Sequence, residues 1–134
     1  MSTETKKISR VYKDFDLSFT KNSITSDLNK KTDVAAVKQA IQILLQTNFY
    51  ERPFEVSKGA NLRSYLFGQI DGLTANLLRK NIQQVIETYE PRALIQELDV
   101  TVGQDEVSYN VYLQYAVVGF PQPQIITANL ARLR

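Results

Sequence analysis

The chain has 134 residues, a net charge of +2, and 43% hydrophobic against 22% charged residues, which predicts one globular domain with a substantial core. It contains neither cysteine nor histidine, which excludes disulfides, thiolate nucleophiles, Ser-His-Asp arrangements and the common zinc sites, and we expect no cofactor. Lysine and arginine are scattered among nearly as many acids, so nucleic acid is not favoured as a partner.

The first ten residues are rich in Ser, Thr and Lys, which predicts a mobile N-terminal tail over residues 1–10. They lack the apolar segment of a signal peptide, and no apolar run in the chain approaches the roughly 18 residues of a membrane-spanning helix. We therefore expect a soluble protein that is made in a cytosol and has no membrane partner.

An edge strand or extended arm is predicted between Val11 and Phe19, because Phe15, Leu17 and Phe19 alternate with polar residues. Residues 22–31 are interpreted as a polar linker. A first helix of about four turns should follow, capped by Thr32 or Asp33. Its apolar stripe consists of Val34, Val37, Ile41, Leu44 and Leu45.

An aromatic segment, residues 49–54, carries Arg52 beside a proline. Gly59 predicts a turn, and Asn61 is expected to cap a short helix that runs through Leu66. Asp71 and Gly72 then indicate a second turn, and Thr74 is expected to open the longest helix.

The longest helix should end at Tyr89-Glu90-Pro91-Arg92, because a proline cannot extend the helix and pushes the preceding residue out of the α region. Side chains two apart in an extended segment point the same way, so Glu90 and Arg92 should reach one common surface. Two interpretations remain open. The two charges form an intrachain ion pair that fixes the turn, or they contact another protein.

A β-hairpin is predicted next, with one strand through Leu98 and Val102, a turn at residues 103–105 and a long strand over residues 107–117. Pro121 and Pro123 indicate a stiff, extended connector. Residues 124–134 should form a third strand, which pairs within the chain or offers its edge to another chain. The pattern predicts the α+β class, with helices packed on a small antiparallel sheet in a single domain over residues 11–134.

Several of these residues, taken in order, resemble one family. They are Arg52-Pro53-Phe54, Gly59 with Leu62, Leu66-Phe67, and Tyr89-Glu90-Pro91-Arg92. The set resembles the small baseplate wedge proteins of contractile-tailed phages, also called sheath initiators, which are shared with type VI secretion baseplates. The likeness extends from about Val11 to Leu130. The chain departs from it at Tyr50, where the family often has Gly, and at Lys58, where it often has an aromatic residue.

The resemblance implies a structural role in the baseplate of a virion tail, assembled in the host cytoplasm, with no small-molecule substrate. In the family, Glu-Pro-Arg docks the protein on a helical core bundle of other wedge proteins, a role that would fall on Glu90, Pro91 and Arg92. Tyr89 and Arg52 are further candidates for this contact. The resemblance also implies that the strands from Leu98 onward pair with strands of the tail sheath protein. The first sheath ring would assemble on them.

Ile126 and Leu130, in the segment after Pro123, are the candidate sheath-binding residues. We expect that a chain lacking residues 124–134 still folds but cannot start a sheath.

Two rival interpretations are a lysozyme-like glycosidase and a generic adaptor of the same fold. A glycosidase would need paired carboxylates, and Glu97 and Asp99 share one face of a strand about 6.5–7 Å apart along the chain. Alternating charged residues are, however, the usual way in which the outer face of a sheet is solvated. We therefore predict that the protein is not an enzyme.

Overall fold

A computed structural model describes residues 12–131. The predicted tail at residues 1–10 and the end of the predicted last strand at residues 132–134 lie outside this range. Its helices and strands, in chain order, are β1 (Lys13–Phe15), β2 (Lys30–Thr32), α1 (Asp33–Gln46), α2 (Leu62–Leu66), α3 (Gly72–Tyr89), β3 (Ala93–Val102), β4 (Ser108–Val117) and β5 (Phe120–Ala131).

The predicted α+β architecture is confirmed. β3, β4 and β5 form an antiparallel sheet in that order, and the helices cover one of its faces. α3 packs mainly against β3. The buried apolar residues of the helices and of the inner sheet face form one core, which includes Ile41, Leu78, Ile82, Ile86, Val111, Leu113, Tyr115 and Ile126.

α3 begins two residues earlier than Thr74, the predicted start. Asp71 is the N-cap, and its Oδ1 accepts a hydrogen bond from the Thr74 backbone N–H at 2.7 Å. This bond satisfies one of the free N–H groups of the first helical turn, which is the usual function of an aspartate cap. The same hydrogen bond holds the pKa of Asp71 below its ordinary value. Thr74 is therefore a first-turn residue and not the opening residue.

The predicted connector at the two prolines is wrong, because both prolines lie inside β5. Val117 pairs with Phe120 and Tyr115 pairs with Gln124, so residues 121–123 form an irregularity opposite Ala116. A proline lacks the N–H that a central strand needs, but an edge strand with a bulge tolerates it. The turn between β4 and β5 is correspondingly tight, with Gly119 at a φ of +90°.

Residues 22–31 are not a plain linker. β2 pairs antiparallel with β1, and a further bridge joins Lys21 to Leu28. We name residues 13–32, which comprise β1, β2 and their connection, the N-terminal ribbon. Gln39 of α1 is buried and fixes the ribbon, since its Nε2 donates to the Phe15 carbonyl at 2.7 Å and its Oε1 accepts from the Leu17 N–H at 3.4 Å.

Candidate docking sites

The chain leaves α3 through the predicted charged turn. Glu90 adopts φ −133° and ψ 67°, outside the α region, and its N–H bonds to the Ile86 carbonyl at 2.8 Å. Pro91 is exposed. The Ala93 N–H then bonds to the Glu90 carbonyl at 3.1 Å, which directs the chain into β3. The proline thus ends the helix where the sequence predicted.

Glu90 and Arg92 point the same way and pair with each other. Arg92 Nε donates to Glu90 Oε1 at 2.5 Å, and Arg92 Nη2 donates to Glu90 Oε2 at 2.6 Å. This two-point geometry is the strongest form of an arginine–carboxylate contact. The hydrogen bonds that Arg92 donates to Glu90 raise the pKa of Arg92. Glu90 is only 3% exposed, whereas the Arg92 side chain is 33% exposed, so only the arginine reaches the surface.

Arg92 has a second neighbour that the sequence did not indicate. Its guanidinium carbon lies 5.2 Å from the centroid of the Tyr12 ring, which is cation–π distance. Tyr12 is held in place by Asp33, because the Asp33 N–H donates to the Tyr12 carbonyl at 2.7 Å. Arg92 is therefore oriented from two sides, by a carboxylate and by an aromatic ring.

A cleft of about 260 Å³ opens beside this pair, and we name it the Arg92 cleft. One wall is the α1 face at Ala40, Ile43 and Leu44. The other lining residues are Asp14, Arg52, Lys58, Tyr89, Glu90 and Arg92. The structure thus brings Arg52 together with Tyr89, Glu90 and Arg92, although about 40 residues separate them in the chain.

The individual contacts in the Arg92 cleft are weaker than the central pair. Arg52 Nη1 lies 3.7 Å from Glu55, and Lys58 Nζ lies 3.0 Å from the same carboxylate. Tyr89 is half-buried, its hydroxyl donates to the Ser57 carbonyl at 3.5 Å, and Lys58 Nζ lies 5.7 Å from its ring centroid. Sequence analysis missed Tyr12, Asp14 and Lys58, because only the folded chain places them at this cleft.

The two predicted sheath-binding side chains face inward. Ile126 is 6% exposed and pairs opposite Leu113, and Leu130 is half-buried opposite Tyr109. Their side chains belong to this chain's own core. β5 keeps a free backbone edge, because β4 pairs with one side of β5 and no strand in the described part of the chain pairs with the other side.

An apolar groove of about 300 Å³ runs between the free edge of β5 and the helices α1 and α2. We name it the β5 groove. Its apolar lining consists of Leu45, Leu62, Ile82, Val111, Ile126, Ala128 and Leu130. Leu130 therefore contributes to the floor of a surface groove even though its side chain points toward the core.

The opposite edge of the sheet, at β3, has a different character. α3 lies beside it, and a polar cleft of about 470 Å³ between them is lined by Arg79, Gln83 and Glu87 of the helix and by residues 95–99 of the strand. The pairing shifts between Ile95 and Glu97, which marks a bulge. A bulge and charged residues are two common ways to protect a sheet edge from pairing.

Glu97 and Asp99 lie in this polar cleft and both are exposed. They pair opposite Gln114 and Tyr112, on the outer, polar face of the sheet. No apolar enclosure surrounds either carboxylate, and such an enclosure is what raises the pKa of a glycosidase acid. Between residues 12 and 131, no group of three or more acidic, histidine or cysteine side chains is placed to hold a metal ion. None of the helices in that range has the length and hydropathy of a membrane span.

A family model described as baseplate wedge protein gp25 matches residues 31–119. The chain is 25% identical over 114 residues to the baseplate wedge protein gp25 of Enterobacteria phage T4, an alignment that covers 85% of this chain and 86% of the phage protein.

Two solved structures share the fold. The anti-feeding prophage baseplate contains a chain with a TM-score of 0.64 and 18% identity, covering 92% of this chain and 89% of that one. A Geobacter sulfurreducens protein, provisionally described as a tail lysozyme, gives a TM-score of 0.65 and 17% identity, covering 73% of this chain and 89% of that one.

Proposed function

The chain belongs to the baseplate wedge protein gp25 family, and from this premise we propose that it joins two parts of a contractile tail. It is a structural component of the baseplate. In the proposal, the Arg92 cleft docks on a helical core bundle of the wedge, and the β5 edge receives a strand of the tail sheath protein. The observation that carries the proposal is the Glu90–Arg92 pair, because the buried Glu90 carboxylate orients the Arg92 side chain toward the protein surface.

The docking half of the proposal is supported by the hydrogen-bond donors of Arg92 that do not bond to Glu90. Glu90 accepts from Nε and Nη2 of Arg92, so the N–H groups on Nη1 remain for an outside acceptor. Arg52 and Lys58 add positive charge at the same cleft. A carboxylate or the exposed carbonyls at a helix C-terminus would match these donors, and both occur at the end of a helical bundle. In this proposal Glu90 acts by orienting Arg92 and does not itself contact the partner.

A simple Arg92→Ala test would confuse docking with folding, because it strands the buried Glu90 carboxylate. The double variant Glu90→Leu with Arg92→Met separates the two effects. Replacing both members of a buried ion pair by apolar residues of similar volume is often neutral or stabilising. We expect the double variant to fold, with a melting temperature near that of the wild type, and to fail to enter baseplates in a complementation assay.

Normal incorporation of the folded double variant would contradict docking through Arg92 and leave the pair as a structural turn. Arg52→Ala serves as a second probe, since among residues 12–131 the ion pair of Arg52 is a solvent-accessible contact with Glu55. We expect it to weaken incorporation while leaving stability nearly unchanged.

The sheath half of the proposal is supported by the contrast between the sheet edges. β5 is twelve residues long and lies beside an apolar groove, whereas β3 is bulged and flanked by α3. A strand added to β5 would form backbone hydrogen bonds, and alternate side chains of that strand would enter the β5 groove. Burial of those side chains would add to the backbone pairing.

Filling the β5 groove tests this half. Ala128 is half-buried on the groove side of β5, and Ile125, which does not line the groove, is exposed on the opposite face. We expect Ala128→Phe to allow baseplates but prevent sheath from starting, as seen by negative-stain electron microscopy. Ile125→Phe is the control and should leave tails sheathed. Sheathed tails with Ala128→Phe would contradict strand addition at this edge.

The proposal includes no catalysis and requires no nucleic acid, membrane or small-molecule substrate. Glu97 and Asp99 lie on an open polar face, and the likeness to the Geobacter protein shows a shared fold alone. Assembly would take place in the host cytoplasm. A zymogram on peptidoglycan should show no clearing with purified protein. Clearing that Glu97→Gln abolishes would contradict this part of the proposal.

A further inference from the structure

The N-terminal ribbon exposes more apolar surface than its own fold uses. Its large apolar side chains are all substantially exposed, from 37% at Leu28 to 94% at Ile24, and the others are Phe15, Leu17 and Phe19. A patch of this kind on a protein surface usually marks an interaction site. The family model begins at residue 31 and therefore leaves out most of the ribbon.

The ribbon is fixed with this face outward. Both ends of the buried Gln39 amide bond to the backbone of residues 15 and 17. Farther out, the Asn29 N–H bonds to the Thr20 carbonyl at 3.0 Å, and the Asn22 N–H bonds to the Asp27 carbonyl at 2.8 Å. The exposed apolar residues therefore cannot turn inward without breaking these bonds. They are available to a partner at no cost of rearrangement.

Lysines lie beside two of these apolar residues. Lys30 is the cross-strand neighbour of Phe15, and Lys21 is the cross-strand neighbour of Leu28. Lys13 lies two residues before Phe15 and so shares its face. Within residues 12–131, no acid lies at ion-pair distance from any of these three lysines.

The acids of the ribbon are mostly engaged elsewhere. Asp16 lies 3.4 Å from Lys31, and hydrogen bonds from Ser18 hold its pKa below the ordinary value. Asp14 faces the Arg92 cleft. Asp27 is exposed near the tip, where it accepts from the Leu28 N–H. With four lysines and three aspartates, the ribbon has a net charge of +1, and its positive charges lie beside exposed apolar side chains.

We propose that the exposed face of the N-terminal ribbon is a second docking surface, and that its occupant is an amphipathic segment of another baseplate protein with apolar residues flanked by Asp or Glu. The ribbon lysines favour acidic residues in the partner segment, and the five apolar side chains of the ribbon favour an apolar stripe in it. A nucleic acid fits less well, because three of the five side chains are aliphatic and have no ring on which a base can stack.

The ribbon borders the Arg92 cleft on the face opposite to Lys13 and Phe15. Tyr12 contacts Arg92, and Asp14 lines the cleft from the ribbon side. The exposed face and the cleft are therefore two separate surfaces. The inference rests on membership of the baseplate family and not on docking through Arg92 or on sheath binding, so it can fail or succeed separately from them.

Photocrosslinking in assembled particles tests the surface directly. p-Benzoylphenylalanine replaces Phe15 or Phe19 in the full-length chain, and Val107, which is 50% exposed in the turn after β3, carries the same probe as the control. We expect adducts from both ribbon positions that map by mass spectrometry to one other baseplate protein, at a peptide containing Asp or Glu. The proposal would be overturned by crosslinking yields at the ribbon positions that do not exceed the yield at Val107. Adducts with nucleic acid, with lipid or with peptides that lack Asp and Glu would also overturn it.

A charge-reversal experiment provides an independent measurement. The double variant Lys13→Glu with Lys30→Glu should reduce incorporation into particles about tenfold or more, as expected for the loss of an interface hot spot. Lys80→Glu, on the exposed side of α3, is the control and should incorporate normally. All three lysines are exposed, and a thermal melt of each purified variant establishes that it folds. Normal incorporation of a folded ribbon variant would overturn the proposal.

Discussion

The Arg92 cleft and the free edge of β5 differ in which of their polar groups already have a bonding partner within the chain. In the cleft, the two central charges bond to each other, so Glu90 and Arg92 contribute to the fold before any partner arrives. At the β5 edge, the side chains of Ile126 and Leu130 are committed to the core, while one side of the strand backbone is left unpaired by the described residues. Removing one member of the Glu90–Arg92 pair therefore changes folding and docking together, whereas a groove-filling change beside β5 can leave the fold intact.

Removing β5 should have the largest effect. A chain lacking residues 124–134 loses nearly the whole pairing partner of β4 and exposes a core built around Leu113 and Tyr115. We expect it to lose the cooperative unfolding transition in circular dichroism, which replaces the expectation from sequence that it would fold. Removing residues 132–134 alone is the control and should preserve the transition. A truncated chain that still melts cooperatively would show that β5 is an accessory strand.

Arg92→Ala should have the next largest effect. It leaves Glu90 buried without its partner, which typically costs about 3–5 kcal/mol. Urea unfolding of the purified protein measures this loss as a lower midpoint with an unchanged slope. A loss below about 1 kcal/mol would mean that the Glu90 carboxylate finds water or another donor, and that the cleft is less committed to the fold than the contacts indicate.

Tyr115→Phe concerns the sheet between the two edges. The Tyr115 hydroxyl is buried and has no hydrogen-bond partner among the described residues. An unsatisfied buried group is costly, so we expect the variant to be more stable by about 1 kcal/mol in urea unfolding at neutral pH.

Burial also raises the pKa of Tyr115 to about 12. Between pH 10 and 12 the folded state therefore holds a proton that the unfolded chain has begun to release, and stability falls as the pH rises. The variant should lose this part of the alkaline decline when pH 9 and pH 11 are compared. An equal decline in both proteins would contradict the assignment.

Arg52→Ala should have the smallest effect on stability. Its contact with Glu55 is 3.7 Å long and exposed on both sides, and such pairs contribute about 0–1 kcal/mol. Urea unfolding should place the variant within that range of the wild type. A larger loss would mean that Arg52 supports the loop of residues 47–59, and it would weaken the use of this variant as a docking probe.

Local sequence determined the elements that depend on neighbouring residues. The helical stripe placed α1, and the proline placed the end of α3 and kept Glu90 out of the α region. Alternation placed Leu98, Val100, Val111 and Leu113 on the inner sheet face. It failed at the start of β4, where Val107 is 50% exposed and Ser108 is buried. Ser108 Oγ donates to Asp105 at 2.6 Å, so a turn contact outweighs the apolar pattern there.

What the sequence by itself determined is the fold class, the order of the main elements and the charged turn at the end of α3. Only the tertiary structure decided which groups remain available. It paired Glu90 with Arg92, placed Tyr12 against the guanidinium, brought Arg52 and Lys58 to the same cleft, and turned Ile126 inward. The physical reason is that periodicity and capping act over a few residues, whereas burial and pairing depend on contacts between distant segments. Local patterns in a single sequence do not reveal those contacts.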